Sequence, residues 1–304
     1  MLSRALHCCS PRAGAIAVVA TILAGMVSAQ SRSSGTEWLT PDVEARLLFT
    51  GRHLRGAMAV QEVKSGTIVS ALDSDGPVLP LSVVKLFTAA IYLEHRGALP
   101  TGSAGDPGAL VTYGSDDAGR QLALNLRHAL GSATLLRDLE RFGFPRCHRG
   151  VTDCTTLTPD AGDAEWANAM SLGETDFRAT PRGLSHFLRI IGNGGAAPGE
   201  GGGRAMRPET ARLLQSAMID TVHFGTARGI RDRLGVKGQI GGKTGSGPGG
   251  ARLLDGIFAG IVFDRANIAR YTVLTYVRSG GLGGGPRRRF RRTWQLYLLS
   301  SKKN

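Results

Sequence analysis

A lysine interrupts one of the most apolar stretches of the chain. The segment 83–93 reads VVKLFTAAIYL, which is typical of a helix buried on all sides, and Lys85 lies within it. Ser82 precedes Lys85 by three residues, so on a helix the two side chains share one face. A lysine among apolar neighbours can lose its charge and then remove the proton of a serine hydroxyl, which arginine cannot do. The pair indicates nucleophilic catalysis by Ser82 with Lys85 as the general base.

Lysine is also a rare choice in this chain. Of 37 basic residues only six are lysines, at positions 64, 85, 237, 243, 302 and 303. The spacing alone is nevertheless a weak signal, because serine precedes lysine by three residues in many proteins. A lysine can also extend its ammonium group from a half-buried helix into water. At this point both interpretations of Lys85 stay open.

A second motif, GKTGS at 242–246, supplies groups that suit a carboxylate ligand. Lys243 offers a charge and Thr244 a hydroxyl, while the small glycines leave room for a ligand backbone to lie against the strand. The alternative is a glycine-rich turn that carries a surface lysine.

A third motif, YGSDD at 113–117, opens a helical pattern. Ser115 is either the N-cap of that helix or a second hydroxyl that relays a proton between the two lysines and a leaving group.

Predicted strands near both chain ends, and predicted helices between them, must position these motifs. Alternation predicts a hairpin over 55–72, and later strand-like runs lie at 236–244, 253–263 and 270–278. Helical patterns lie at 116–130, 132–142, 181–191 and 208–222. This order predicts an α+β fold, with an antiparallel sheet built from both chain ends, flanking helices and an inserted all-helical lobe over about 98–170. A cleft is expected where the lobe meets the sheet.

The N-terminus has the pattern of an export signal. Arg4 and Arg12 are basic, 13–26 is apolar and 27–29 is a small-residue cleavage site, so we expect residues 1–29 to be removed. An uncleaved anchor is the alternative, although the apolar run is shorter than the about 20 residues of a membrane span. Residues 30–54 are then an N-terminal arm, and 55–304 one domain. The location predicted for the protein is periplasmic or extracytoplasmic.

Net charge and cysteine content indicate which partners and which crosslinks suit this protein. A formal net charge of +13 draws the protein to anionic surfaces such as cell-wall polymers, and export makes nucleic acid the least suitable partner. In an oxidising compartment Cys147 and Cys154 are expected to form a disulfide. A metal site with His148 is the alternative, but four well-spaced ligands are missing. No metal or organic cofactor is implied. The basic run 287–292 opens a predicted C-terminal helix.

The motifs follow one another in the order SxxK, SDx and KTG, which is the order in serine β-lactamases and penicillin-binding proteins. The chain resembles the transpeptidase domain of penicillin-binding proteins over roughly residues 55–299. Four flanking segments share the resemblance, among them the opening hairpin, a Thr-Pro before a helix, the Gly-Thr-Ala before KTG and the strand after it. They lie at 56–72, 172–195, 207–229 and 255–264.

The resemblance implies a penicillin-binding serine D,D-transpeptidase that acts on the D-Ala-D-Ala stem peptides of peptidoglycan. Ser82 would be acylated, Lys85 would be its base, and Ser115 would shuttle a proton. Backbone N–H groups of Ser82 and Ser246 would form the oxyanion hole. The residues expected to bind the substrate or a β-lactam are Lys243, Thr244, Gly245, Ser246 and Asp117.

Two departures from the family pattern matter. The family commonly has asparagine where this chain has Asp117, although some elongation-type branches carry aspartate. A carboxylate cannot donate the amide hydrogen bond to a substrate, but it could pair with a lysine. The stretch between Ser82 and Ser115 is also short, so the helical lobe must be reduced.

Other functions remain open at this point. A serine β-lactamase or a D,D-carboxypeptidase would share the acylation step, and a non-catalytic module that binds wall peptides or penicillin is a further alternative. A glycosyltransferase and proteins of division or elongation are possible partners. The membrane would be contacted only through an uncleaved signal.

Overall fold

Strands from both ends of the chain form one antiparallel sheet. In a computed structural model of the chain, the described residues are 55–99, 106–199, 203–228, 239–249 and 253–278. The sheet order is β2-β1-β7-β6-β5, and every neighbouring pair is antiparallel. Its strands are β1 (Arg55–Glu62), β2 (Ile68–Leu72), β5 (Ile240–Gly249), β6 (Leu253–Phe263) and β7 (Ala269–Arg278). The predicted α+β fold, with a sheet built from both chain ends, is confirmed.

Helices occupy the middle of the chain, as the sequence predicts. A 3₁₀ turn (Leu81–Val83) leads directly into the first α-helix. A small second sheet pairs β3 (Cys154–Thr155) with β4 (Phe177–Arg178). Within the described residues the α-helices are α1 (Val84–His95), α2 (Pro107–Tyr113), α3 (Asp116–Leu130), α4 (Ser132–Arg141), α5 (Asp163–Leu172), α6 (Pro181–Gly192) and α7 (Pro208–His223).

Helix α1 lies at the centre of the molecule. It packs against α2, α3, α5 and α7, while α6 packs on β1, β6 and β7. Phe87 of α1 contacts the ring of Phe187 on α6 at a centroid distance of 4.3 Å and that of Phe144 at 5.0 Å. Burial on all sides follows from the apolar sequence of α1 and explains why its one basic interior residue is enclosed.

One strand differs from its predicted position. The run predicted at 236–244 begins at Ile240 and continues to Gly249, through a segment whose glycines and proline favour a turn. Continuous pairing with β6, including Ser246 with Gly256 and Pro248 with Leu254, keeps the segment extended. Strand β5 is at the edge of the sheet, where a proline without an N–H group is tolerated. Tertiary pairing therefore overrides the local preference.

Cys147 and Cys154 form a disulfide. The adjacent Asp153 accepts hydrogen bonds from the backbone nitrogen of Thr180, at 2.6 Å, and from its hydroxyl, at 3.1 Å. Thr180 in turn caps α6 by accepting a hydrogen bond from the Gly183 nitrogen at 3.0 Å. Desolvation by burial raises the pKa of Asp153 above its usual value. The disulfide segment thus fixes the start of the helix that supports the sheet.

Reducing this disulfide is expected to lower the free energy of unfolding by about 2–3 kcal/mol, because the crosslink restricts the unfolded chain. The short closed loop keeps the effect moderate. Denaturant unfolding with and without a thiol reductant measures the change. The double variant with Cys147→Ser and Cys154→Ser is the control, since its unfolding should not respond to the reductant. An equal response in both proteins would contradict the assignment.

Several sequence predictions lie outside the described residues. They are the export signal at 1–29, the arm at 30–54 and the basic C-terminal helix opening at 287–292. Among the described residues, no helix is long and apolar enough to span a membrane, and no cluster of His, Cys, Asp and Glu side chains suits a metal ion.

Candidate active site

The structure brings Ser82 and Lys85 together. Ser82 lies in the 3₁₀ turn that precedes α1, and Lys85 lies in the first turn of α1. The Nζ atom of Lys85 is 2.9 Å from the Oγ atom of Ser82, and the lysine side chain is 0% exposed. The same contact, with the hydroxyl donating to a neutral amine, is the geometry needed for proton transfer from the serine. The lysine does not extend into water.

A carboxylate that sequence reasoning missed also contacts this lysine. Asp116, the first residue of α3, places Oδ1 at 2.6 Å from Nζ of Lys85. The backbone oxygen of Asp116 accepts a hydrogen bond from Ser171 on α5 at 2.9 Å, which fixes the start of α3 beside α1. The sequence motif includes position 116, but the family resemblance assigns roles only to Ser115 and Asp117.

Strand β5 brings the second lysine beside the YGSDD motif. Lys243 is 1% exposed, and a Cβ atom built on Gly114 would lie 2.9 Å from its Nζ atom. The next residue, Thr244, shares a hydrogen bond of 2.6 Å with the hydroxyl of Thr226, which follows α7. The KTG segment is therefore an extended strand and not a surface turn. Thr226 was recognised only as part of a Gly-Thr-Ala segment.

Close contact between β5 and the serine turn depends on Gly245. A Cβ atom at this position would lie 2.9 Å from the backbone nitrogen of Ser82 and 2.9 Å from the Cβ atom of Leu81. No larger residue fits without displacing the strand. The following residue, Ser246, is half-buried.

The residue before the serine has an unusual backbone. Leu81 has a φ of +49° although it is not a glycine, and its side chain is buried. Its nitrogen donates to the carbonyl oxygen of Gly173 at 3.1 Å. Gly173 has a φ of +61°, and a side chain there would overlap the carbonyl oxygen of Leu81. Backbone strain of this kind is concentrated at functional sites, where the surrounding structure maintains it.

The remaining members of the second motif lie at the surface. The Oγ atom of Ser115 accepts a hydrogen bond from the backbone nitrogen of Ala118 at 3.2 Å, as an N-cap of α3 does. Asp117 has a side chain that is 98% exposed and pairs with Arg120 at 3.2 Å. Helix capping was one of the two interpretations that the sequence allowed for Ser115.

Comparisons with known proteins rest on structure. No protein-family model matches the chain, and no curated protein matches it by sequence. The transpeptidase domain of FtsI4 D,D-transpeptidase from Legionella pneumophila is similar, with a TM-score of 0.60 and 19% identity over 78% of this chain and 84% of that domain. The chain has the fold of the transpeptidase domains of penicillin-binding proteins.

Other proteins with the transpeptidase fold show the same relationship. PBPA from Mycobacterium tuberculosis has a TM-score of 0.58 and 18% identity, over 75% of this chain and 69% of that one. It has also been solved as acyl-enzyme complexes with ceftriaxone and imipenem. A peptidoglycan glycosyltransferase from Burkholderia ambifaria has a TM-score of 0.58 and 15% identity, over 86% of this chain and 89% of that one. At these identities the likeness establishes the transpeptidase fold alone.

Proposed function

We propose that the protein is a serine D,D-acyltransferase that penicillin acylates at Ser82. The observation that carries the proposal is the contact of 2.9 Å between the Ser82 hydroxyl and the amine of the fully buried Lys85. A pure binding module would have no use for a lysine enclosed in the first turn of an apolar helix, because burying a charged group is costly. The transpeptidase fold and the strand with Lys243 beside this pair support the same function.

In the proposed reaction, the Oγ atom of Ser82 attacks the carbonyl carbon of the penultimate D-alanine while Lys85 accepts the hydroxyl proton. The tetrahedral intermediate then expels the terminal D-alanine, whose amine takes up a proton, and an ester on Ser82 remains. An acceptor amine attacks the ester carbonyl carbon and forms a new peptide bond as the bond to Oγ of Ser82 breaks. The proton lost by the amine returns to the serine oxygen, and the joined peptide is released. A β-lactam would follow the first step, but its ring-opened product stays attached.

Two features of β5 support binding of the substrate in this orientation. Lys243 and the Thr244 hydroxyl offer a cation and a donor to the terminal carboxylate. Gly245 brings the strand against the Ser82 nitrogen, so an oxyanion hole formed by the N–H groups of Ser82 and Ser246 is compatible with the local geometry. One such donor is worth roughly 3–4 kcal/mol of transition-state stabilisation.

The fate of the acyl group distinguishes the related activities. The purified protein is incubated with a diacylated Lys-D-Ala-D-Ala peptide, with and without an added amine, and free D-alanine and the products are measured. Transpeptidation is expected to give the amine adduct. Hydrolysis to the shortened peptide would indicate a carboxypeptidase, and fast turnover of a chromogenic cephalosporin a β-lactamase. If neither the peptide nor any β-lactam reacts, the acyl-transfer proposal is wrong.

The cellular setting is proposed on the same basis. The export pattern at 1–29 would bring the protein to the peptidoglycan outside the cytoplasmic membrane. The formal net charge is +13 for the whole sequence and 13 − 2 = +11 once Arg4 and Arg12 leave with the signal, which favours contact with anionic wall polymers. Stem peptides are the proposed substrates, and glycosyltransferases or proteins of division and elongation are the proposed partners.

A further inference from the structure

We infer that the second catalytic motif of this chain is Gly114-Ser115-Asp116, one residue earlier than the pattern SDD suggests, and that Asp116 is the positioning residue of the Lys85 base. The inference rests on the proposed acyl transfer at Ser82. Asp116 is then the residue of α3 that contacts Lys85, and Ser115 and Asp117 take no part in the reaction.

The carboxylates of Asp116 and Asp117 point in different directions. Asp116 reaches Nζ of Lys85 at 2.6 Å, although its side chain is still 55% exposed. A Cβ atom built on Gly119, one turn further along α3, would lie 3.2 Å from Cε of Lys85. Residues three apart lie on one helix face, so Asp116 and Gly119 mark the face of α3 that covers the lysine. Asp117 begins the neighbouring face, where it pairs with Arg120.

Residue 114 lies beside Lys243. A side chain there would meet the amine of Lys243, at 2.9 Å from the Cβ atom, whereas the Ser115 hydroxyl accepts a hydrogen bond from the Ala118 nitrogen. Within the second motif, a hydroxyl that faces Lys243 would therefore come from residue 114. That residue is glycine, with a φ of +70° at the end of α2. The chain has the backbone for a relay at this position but not the hydroxyl.

The Asp116 carboxylate influences the charge of the Lys85 amine. A carboxylate this close stabilises the ammonium form of Lys85, so a higher pH is needed before the amine can accept a proton. A further charged group beside this motif is Lys243 on β5, whose amine lies next to Gly114, and α5 contributes the neutral Ser171. Glu174, which follows α5, places Oε1 3.3 Å from a Cβ atom built on Gly247, beside the Leu81 side chain. Asp116 thus holds the base in place and sets the pH at which it works.

The test compares two adjacent substitutions, Asp116→Asn and Asp117→Asn. The rate of acylation by a fluorescent penicillin is measured over about pH 5 to 10, together with thermal unfolding. Loss of the carboxylate at Lys85 is expected to move the midpoint of the rising limb down by about one to three pH units in Asp116→Asn. In Asp117→Asn the midpoint should move by less than about half a unit, because an exposed charge is screened. A larger shift for Asp117→Asn, equal shifts, or no shift in either would overturn the inference.

Ser115 gives an independent arm of the test. Ser115→Ala removes the helix cap and is expected to lower the thermal midpoint, whereas Ser115→Gly should restore most of it because glycine is an acceptable N-cap. The rate of acylation should fall by less than about threefold in both variants. Loss of a proton relay would lower the rate by about 100-fold or more. A loss of that size in both variants would show that Ser115 is the relay and that the motif is not shifted.

A direct titration separates this inference from the proposed function. With lysines labelled by ¹³C and ¹⁵N, the chain gives only six lysine signals, and the Lys85 signal is assigned from Lys85→Arg. Its titration midpoint should be lower in Asp116→Asn than in the native protein, whether or not penicillin reacts. If the native protein is not acylated but this shift is seen, the proposed function fails and the assignment of Asp116 stands. An unchanged midpoint would overturn the assignment.

Discussion

Replacing Lys85 by arginine is expected to lower the rate at which penicillin acylates Ser82 by about 10²- to 10⁴-fold, the usual contribution of a positioned base. Arginine keeps the positive charge and can still pair with Asp116, but it cannot be deprotonated to accept the serine proton. The loss should therefore appear in the chemistry more than in folding, with a stability cost of about 1–3 kcal/mol for the larger buried side chain. Stopped-flow labelling and thermal unfolding measure the two effects.

Lys64→Arg is the matched control for this substitution. Lys64 lies exposed in the turn between β1 and β2, so the same exchange there should change neither labelling nor stability. Native-like labelling of a folded Lys85→Arg protein would show that the amine is not the base.

Replacing Gly173 by alanine is expected to impair both the fold and the reaction. A positive φ costs a residue with a side chain about 1–2 kcal/mol, and the overlap with the Leu81 carbonyl adds about 1–3 kcal/mol of overpacking. Relief of that overlap must move the 3₁₀ turn that carries Ser82, and a displacement of about 1 Å can cost about 100-fold in rate. Denaturant unfolding and penicillin labelling of the same preparation measure the two losses.

Gly194→Ala separates the two contributions. Gly194 has a φ of +64°, close to that of Gly173, but a Cβ atom there would meet nothing within 4 Å. This variant should show the backbone cost alone, with normal labelling. Equal losses in the two variants would mean that the contact between Gly173 and Leu81 does not support the nucleophile.

The parts of the site that sequence could predict are local. Ser82 and Lys85 lie within one turn of each other, so their spacing already determines that the side chains can meet. The hairpin and the late strands follow from alternation, and the Thr180 cap with a following proline marks the start of α6. In each case neighbouring residues in the chain are also neighbours in space.

The missing parts depend on distant segments. Asp116 is 31 residues from Lys85 in the sequence, and only the packing of α3 over α1 decides whether 115, 116 or 117 faces the lysine. A shift of one residue at the start of a helix turns a side chain by about 100°, which a motif pattern cannot resolve. The end of β5 is similar, because pairing with β6 extends it through glycines that locally favour a turn.

The most direct test of the account is to locate a penicillin adduct. The purified protein is incubated with benzylpenicillin, its intact mass is measured, and the labelled peptide is sequenced after proteolysis. The account predicts one covalent equivalent on Ser82, and none in a folded Ser82→Ala variant. An adduct that persists in Ser82→Ala, or a folded native protein that no β-lactam labels, would contradict it.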